Sequence, residues 1–297
     1  MTRWLSLLFG LLLLTGTAAG QTRLSGGGAS TTAIAPTSAT TDPSGWGKVW
    51  ATSAVLENQG PMFFLDDQTA ILIRKDDAAA AMEINTSSDA GRTWGATIGA
   101  GFNGGTLRGG GIFDPSTFRY VVATPTTAFW TPAPASTNWT TVTGITLVTN
   151  ISGISIRGST ILISGDDAGT NGVICRSTNG ATSVSCAQPA GLTGVTLASA
   201  TPASQALASP ATNIWIAGGI TGGTARLFRS VDDGITWRQV HNFGSGGAFT
   251  ILCPTSVICL AASTNAAATI IRSIDAGATW TGVTGTLGAN FITNGFA

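Results

Sequence analysis

From residue 62 onward the chain alternates short apolar or β-branched runs with clusters of Gly, Asn, Asp, Ser, Thr and Pro. Runs of four to six residues bounded by turn residues predict strands. They fall in threes: 62–65, 70–74 and 81–86; 110–113, 120–123 and 128–131; 153–157, 160–164 and 172–176; 195–198, 213–217 and 225–229; 248–253, 257–261 and 269–272. Beyond the N-terminal apolar run, no stretch carries a helical period. The pattern predicts an all-β chain.

A repeated turn comes after the third strand of a group. Ser87, Asp89, Gly91 and Trp94 recur as Ser230, Asp232, Gly234 and Trp237, and again as Ser273, Asp275, Gly277 and Trp280, each time in the frame S-x-D-x-G-x-T-W. A carboxylate at the third position accepts N–H bonds inside a tight turn. Gly at the fifth supplies a positive φ. The Trp starts an outgoing strand and packs back over the hairpin. Shortened copies occur at Ser136–Trp139 and Ser177–Thr182, with a distorted one at Thr41–Trp46. With Trp46, Trp94, Trp139, Ser183, Trp237 and Trp280 as anchors, the period is about 45 residues, one four-stranded unit.

These turns resemble the Asp-box, or bacterial neuraminidase repeat, of the sialidase-like superfamily. The resemblance implies an all-β fold, a β-propeller of four-stranded blades. Each unit reads A, B, C, box, D. Five units are complete, and the segments 46–51 and 291–297 are expected to meet in a sixth, closing blade, with five or seven blades as alternatives. One domain then spans 41–297, after a flexible leader at 21–40.

The resemblance also sorts the ionisable residues. In such propellers the boxes and A–B turns share one face, and the D–A and B–C loops line the other, where ligands bind. Arg74, Asp76, Asp77, Arg108 and Asp167 are thereby candidate binding residues, with Asp166 and His241 on or beside the same face. Asp77 and Asp167, both in B–C loops, are the carboxylate pair that a glycoside hydrolase would use. A sialidase site needs three arginines, a Tyr nucleophile with its Glu, and an Asp. This chain has one Tyr, Tyr120, expected on a B strand away from the mouth, and only Glu57 and Glu83. Small exported propellers of the photosystem II assembly/stability factor type are similar in size. That likeness implies a non-catalytic binding or assembly scaffold with a protein or glycan partner, though their arginine-rich patch is not reproduced here.

Charge narrows the partners further. Lys+Arg and Asp+Glu both number 14, for a formal net charge of +0. This gives no electrostatic ground for nucleic acid and no polybasic segment for an anionic membrane. The single His, His241, has no nucleophile motif with it and reads as an ordinary loop residue. The loop Asp166–Asn171 is rich in oxygen ligands but lacks EF-hand spacing. No metal and no cofactor is expected.

The N-terminus reads as a signal peptide over 1–20. Arg3 precedes an apolar run at 4–14, and small residues follow as far as Gly20. The mature chain would be exported, periplasmic or extracellular, without stable membrane insertion. Four cysteines behind such a segment suggest two disulfides. Spacing leaves three pairings open. The repeat register favours Cys175–Cys186, on C and D strands, and Cys253–Cys259, on A and B strands.

Overall fold

A computed structural model describes residues 59–76, 81–96, 98–103, 107–114, 117–169, 171–197, 206–247, 249–263 and 269–283. The expected signal peptide, the leader and both halves of the closing blade lie outside these residues.

The described residues form five antiparallel four-stranded sheets, each built from consecutive strands. The first contains β1 (Gln59–Phe64), β2 (Ala70–Asp76), β3 (Ala81–Ser87) and β4 (Ile98–Asn103). The second contains β5 (Arg108–Asp114), β6 (Arg119–Ala123), β7 (Ala128–Thr131) and β8 (Thr140–Thr141). The third contains β9 (Asn150–Arg157), β10 (Thr160–Asp166), β11 (Gly172–Ser177) and β12 (Ser185–Ala187). The fourth contains β13 (Leu207–Ala211), β14 (Ile214–Thr221), β15 (Thr224–Ser230) and β16 (Arg238–Ser245). The fifth contains β17 (Phe249–Leu252), β18 (Cys259–Ser263), β19 (Thr269–Ser273) and β20 (Thr281–Gly282).

The first strands β1, β5, β9, β13 and β17 pack side by side in chain order, which makes the sheets the blades of a β-propeller. Successive residues on a strand point to opposite faces, and both faces of each inner sheet are buried. Val122 packs with Phe63, Ile73 and Met82 of the first blade. Its neighbour Val121 packs with Ile154 and Ile163 of the third. Leu162 then joins Trp215 and Phe228 of the fourth blade, while Ile216 faces Ile251 and Ile271 of the fifth. The core is therefore a series of slabs between blades, and the near-continuous apolar runs of the B strands follow from burial on both sides.

Two strand expectations need correction. The first strand of the fourth unit is Leu207–Ala211, not 195–198. The strand carries Pro210, which argues against a regular ladder, but a bulge between Ala208 and Ala211 accommodates it. Val195–Leu197 instead belongs to the connection between blades, where Thr196 makes one bridge to Ile220. In the fifth unit the second strand begins at Cys259, two residues later than expected.

Both local disulfides are formed. Cys175 and Cys186 are directly paired across β11 and β12. Cys253 lies one residue past β17 and not on the strand as expected, and it bridges the turn to Cys259, the first residue of β18.

Candidate functional site

The A–B turns and the S-x-D-x-G-x-T-W turns occupy one end of each sheet, and the B–C and D–A connections the other. The candidate binding residues belong to the second end. Asp76 closes β2 opposite Ala81, Arg108 opens β5 opposite Ala123, and Asp167 follows β10. Asp77 lies outside the described residues.

Where side chains are described, these residues are held by neighbours. The guanidinium of Arg74 meets the Glu83 carboxylate on the adjacent strand at 2.6 Å, with side chains only 12% and 20% exposed. It is a cross-strand ion pair, set below the loop tips. Asp167 closes its own loop: Oδ1 accepts the N–H groups of Gly169 and Asn171, each at 2.8 Å, and Oδ2 accepts Asn171 Nδ2 at 3.0 Å. The Asn171 amide and N–H hold the Asp167 carboxyl below its ordinary range. Asn171 Oδ1 in turn accepts the N–H of Gly194, tying this loop to the connection into the fourth blade. Asp166 is buried, and its carboxylate accepts the N–H of Leu197. The two adjacent acids thus serve different bonds. No cluster of metal-ligating side chains occurs among the described residues.

Two other residues fall elsewhere than a catalytic reading needs. His241 is not in a loop. It lies on the outer strand β16, edge-on to Phe243 at 4.8 Å, and burial lowers its pKa. Tyr120 is the second residue of β6, at the turn end, packed against Phe63 and Phe113 at 5.1 and 4.7 Å, and burial raises its pKa.

At the opposite end the repeated turns share one bonding scheme. In the first, Ser87 donates its hydroxyl to Asp89 Oδ1 at 2.8 Å and accepts the Gly91 N–H at 2.8 Å. The Asp89 carboxylate accepts the Thr93 N–H at 2.8 Å and the Thr93 hydroxyl at 2.6 Å. Ser230, Asp232, Gly234 and Thr236 repeat these bonds, as do Ser273, Asp275, Gly277 and Thr279. The Thr93 and Thr279 hydroxyls and N–H groups pull Asp89 and Asp275 down to about 2. For Asp232, burial raises the pKa, but the Thr236 and Ser230 bonds outweigh it and the net shift is downward. The third blade substitutes Asn179, whose Oδ1 accepts Ser177 Oγ at 2.8 Å and whose Nδ2 donates to Ser183 Oγ at 2.9 Å. The indole N–H groups of Trp237 and Trp280 donate back to the carbonyls of Gly234 and Gly277 at 3.0 and 3.1 Å.

A second layer of contacts was not expected from the sequence. The fourth residue of the turn, an unconstrained x in the repeat, is where the preceding blade docks. Arg119 of the second blade donates to the carbonyls of Asn179 and Gly180 and to the Thr182 hydroxyl. Arg176 and Thr160 of the third blade reach the Asp233 carboxylate. Arg229 of the fourth donates Nε–H to Ala276 O at 2.9 Å. The available signal was an Arg immediately before the turn Ser, at positions 176, 229 and 272, the first two of which make the contacts just described.

Fold and end geometry together define a β-propeller that presents loops from one end of its blades. Among solved structures, the chain is similar to a GH74 xyloglucanase from Xanthomonas campestris, with a TM-score of 0.55 and 15% identity over 77% of this chain and 38% of that one. It is similar also to a GH74 enzyme from Niastella koreensis (TM-score 0.49, 15% identity, 82% and 33%) and to YCF48 bound to a D1 peptide (TM-score 0.46, 12% identity, 76% and 80%). The chain spans 38% of the length of the Xanthomonas xyloglucanase, and at such identity the likeness is one of fold. No protein-family model matches the chain, and no curated protein matches it in sequence.

Proposed function

We propose that this chain is an exported, non-catalytic binding scaffold, an Asp-box propeller of the sialidase-like superfamily. In this reading the loops around Arg74, Asp76, Asp77, Arg108 and Asp167 recognise a protein or glycan partner. The observation that carries it is the state of Asp167. Hydrolysis of a glycoside requires two carboxylates facing the scissile bond, one of them free to carry a proton. The Asp167 carboxylate instead accepts three bonds within its own loop, which tie both of its oxygens to that loop and fix its shape. A loop already held in one shape loses little entropy on binding, which suits recognition. Two disulfides support an oxidising destination, in keeping with the N-terminal signal-like segment.

The test is a panel of fluorogenic glycosides and polysaccharides assayed with the mature chain and with Asp77→Ala and Asp167→Ala. The expected result is no turnover by any of the three. Turnover by the wild type that disappears in either folded variant would overturn the scaffold reading in favour of a glycoside hydrolase.

A further inference from the structure

At the turn end of the first two blades, aromatic rings run from the core out to solvent. Phe63 is buried and Tyr120 half-buried, while Phe113 is 37% and Phe118 70% exposed. The ring centroids step from Phe63 to Tyr120 at 5.1 Å, to Phe113 at 4.7 Å and to Phe118 at 6.3 Å. Phe118 holds φ at 51°, in the left-handed region that penalises a bulky side chain. The A–B turns of the third and fourth blades give that conformation to Gly158 and Asn213, residues suited to it. A strained, solvent-facing Phe where Gly or Asn would be cheaper points to recognition.

The surroundings define the ligand. Arg119 lies on the other side of β6, over the Trp130 ring at 4.0 Å, with its guanidinium committed to the third blade. Asp114, opposite Arg119 in the ladder, is fully buried. In the first blade's A–B turn, the Asp66 carboxylate is folded onto Gln68 and Thr69. The second and third blades carry Asn138 and Asn179 where the other boxes carry Asp89, Asp232 and Asp275. Within the second blade's A–B turn the described charges are therefore committed, the Asp114 carboxylate accepting the Thr117 hydroxyl at 2.6 Å. Ser136 and Asn138 add a hydroxyl and a carboxamide at the same end of the sheet, while the exposed Asp67, Arg92 and Arg157 belong to the turns of the adjoining blades. Two rings meeting at 61° cover far less than the roughly 800 Å² per partner of a stable protein interface. They match one sugar, whose C–H face packs on an aromatic face while its hydroxyls meet polar neighbours.

We propose that Phe118 and Phe113 form a subsite for the pyranose rings of a neutral glycan, at the end of the propeller opposite the loops that carry Arg74 and Asp167. The test is affinity electrophoresis of the mature chain through gels containing hydroxyethyl cellulose, xyloglucan or galactomannan, with polygalacturonate as the anionic comparison. The wild type should be retarded by at least one neutral polysaccharide and not by polygalacturonate. Phe118→Gly should weaken that binding at least tenfold while keeping or raising the melting temperature, since Gly relieves the backbone. Ile235→Ser, which removes an exposed apolar side chain at the same end of the fourth blade, should leave it unchanged, which ties the binding to the rings of the second blade. Unretarded wild type, retardation on polygalacturonate alone, or a Phe118→Gly variant that binds as well as wild type would each overturn the proposal. So would capture of the wild type through Phe118 by arrayed peptides without neutral-glycan binding.

Discussion

The carboxylate of Asp233, on a turn of the fourth blade, is shared between Arg176 of the third blade and the indole N–H of Trp215 in its own sheet, the latter at 2.9 Å. Burial raises the pKa of this acid. Its bonds to Arg176, Trp215 and Thr160 outweigh burial, and the net shift is downward. Trp215 is fully buried, so its N–H has no access to water as a substitute.

Asp233→Ala should therefore destabilise the protein by about 2 kcal/mol, the scale for stranding a buried donor and a charged partner. Asp67→Ala, an exposed change in the first blade's A–B turn, should stay within about 0.5 kcal/mol of wild type. Urea unfolding of the two variants checks the difference. Equal midpoints would show that the inter-blade bond contributes nothing.

Backbone approach makes a second prediction. Gly191 has φ +92°, and a Cβ there would lie 1.8 Å from the Trp237 carbonyl oxygen of the next blade. Gly222 also has a positive φ, +56°, but open space around it. Gly222→Ala should cost about 1 kcal/mol, from conformation alone. Gly191→Ala adds a backbone clash that only separation of the blades can relieve, and should cost at least about 3 kcal/mol. Thermal melts of both variants are the measurement. Similar losses would mean that the blades do not meet as described.

Acid should weaken the fold within a defined window. Asp89 and Asp275 are held at about 2, and Asp232, Asp233 and Asp167 are lowered as well. A carboxyl whose folded pKa lies below its unfolded value contributes stability above the unfolded value, near 4. That contribution is lost as pH falls through the folded value. The denaturation midpoint should accordingly stay level with respect to these groups above about pH 5 and drop between about pH 4 and 2. Burial lowers the pKa of His241, which has the same sign and adds a shallower decline below about pH 6.5. His241→Gln should remove that upper component and spare the lower one.

Each disulfide closes a short loop, Cys175 and Cys186 being 11 positions apart in sequence and Cys253 and Cys259 being 6 apart. Loops of this size correspond to about 2–3 kcal/mol each in the chain-entropy account. Peptide mapping without reductant should recover these two pairs alone, and reductant should lower the melting temperature. A crossed pair would contradict the strand register.

Local chemistry explains which parts of this architecture were legible in the sequence. The turn signature is contained in eight residues, so Ser230, Asp232, Gly234 and Trp237 could be read as a hairpin without knowing what surrounds them. Bonds such as Arg119 to Thr182, 63 residues apart, leave no local trace. The same is true of the docking role of Asp233, which occupies a position the repeat leaves open. Pro210 concealed a strand because its compensation, a bulge, is a feature of the pairing and not of the residue. At the candidate site, loop position could be inferred from strand order. The use of Asp167 was also within reach, since Asp167, Gly169 and Asn171 have the spacing of a side-chain-closed turn.

Arg119, Arg176 and Arg229 all reach forward, from an earlier sheet into a later turn. During synthesis the donor thus exists before its acceptor, and each new hairpin, as it closes, finds a socket already made by the sheet before it. Construction follows the order in which the chain emerges. A nascent chain halted after its third sheet already holds the joint made by Arg119, while Arg176 waits for the turn that carries Asp233.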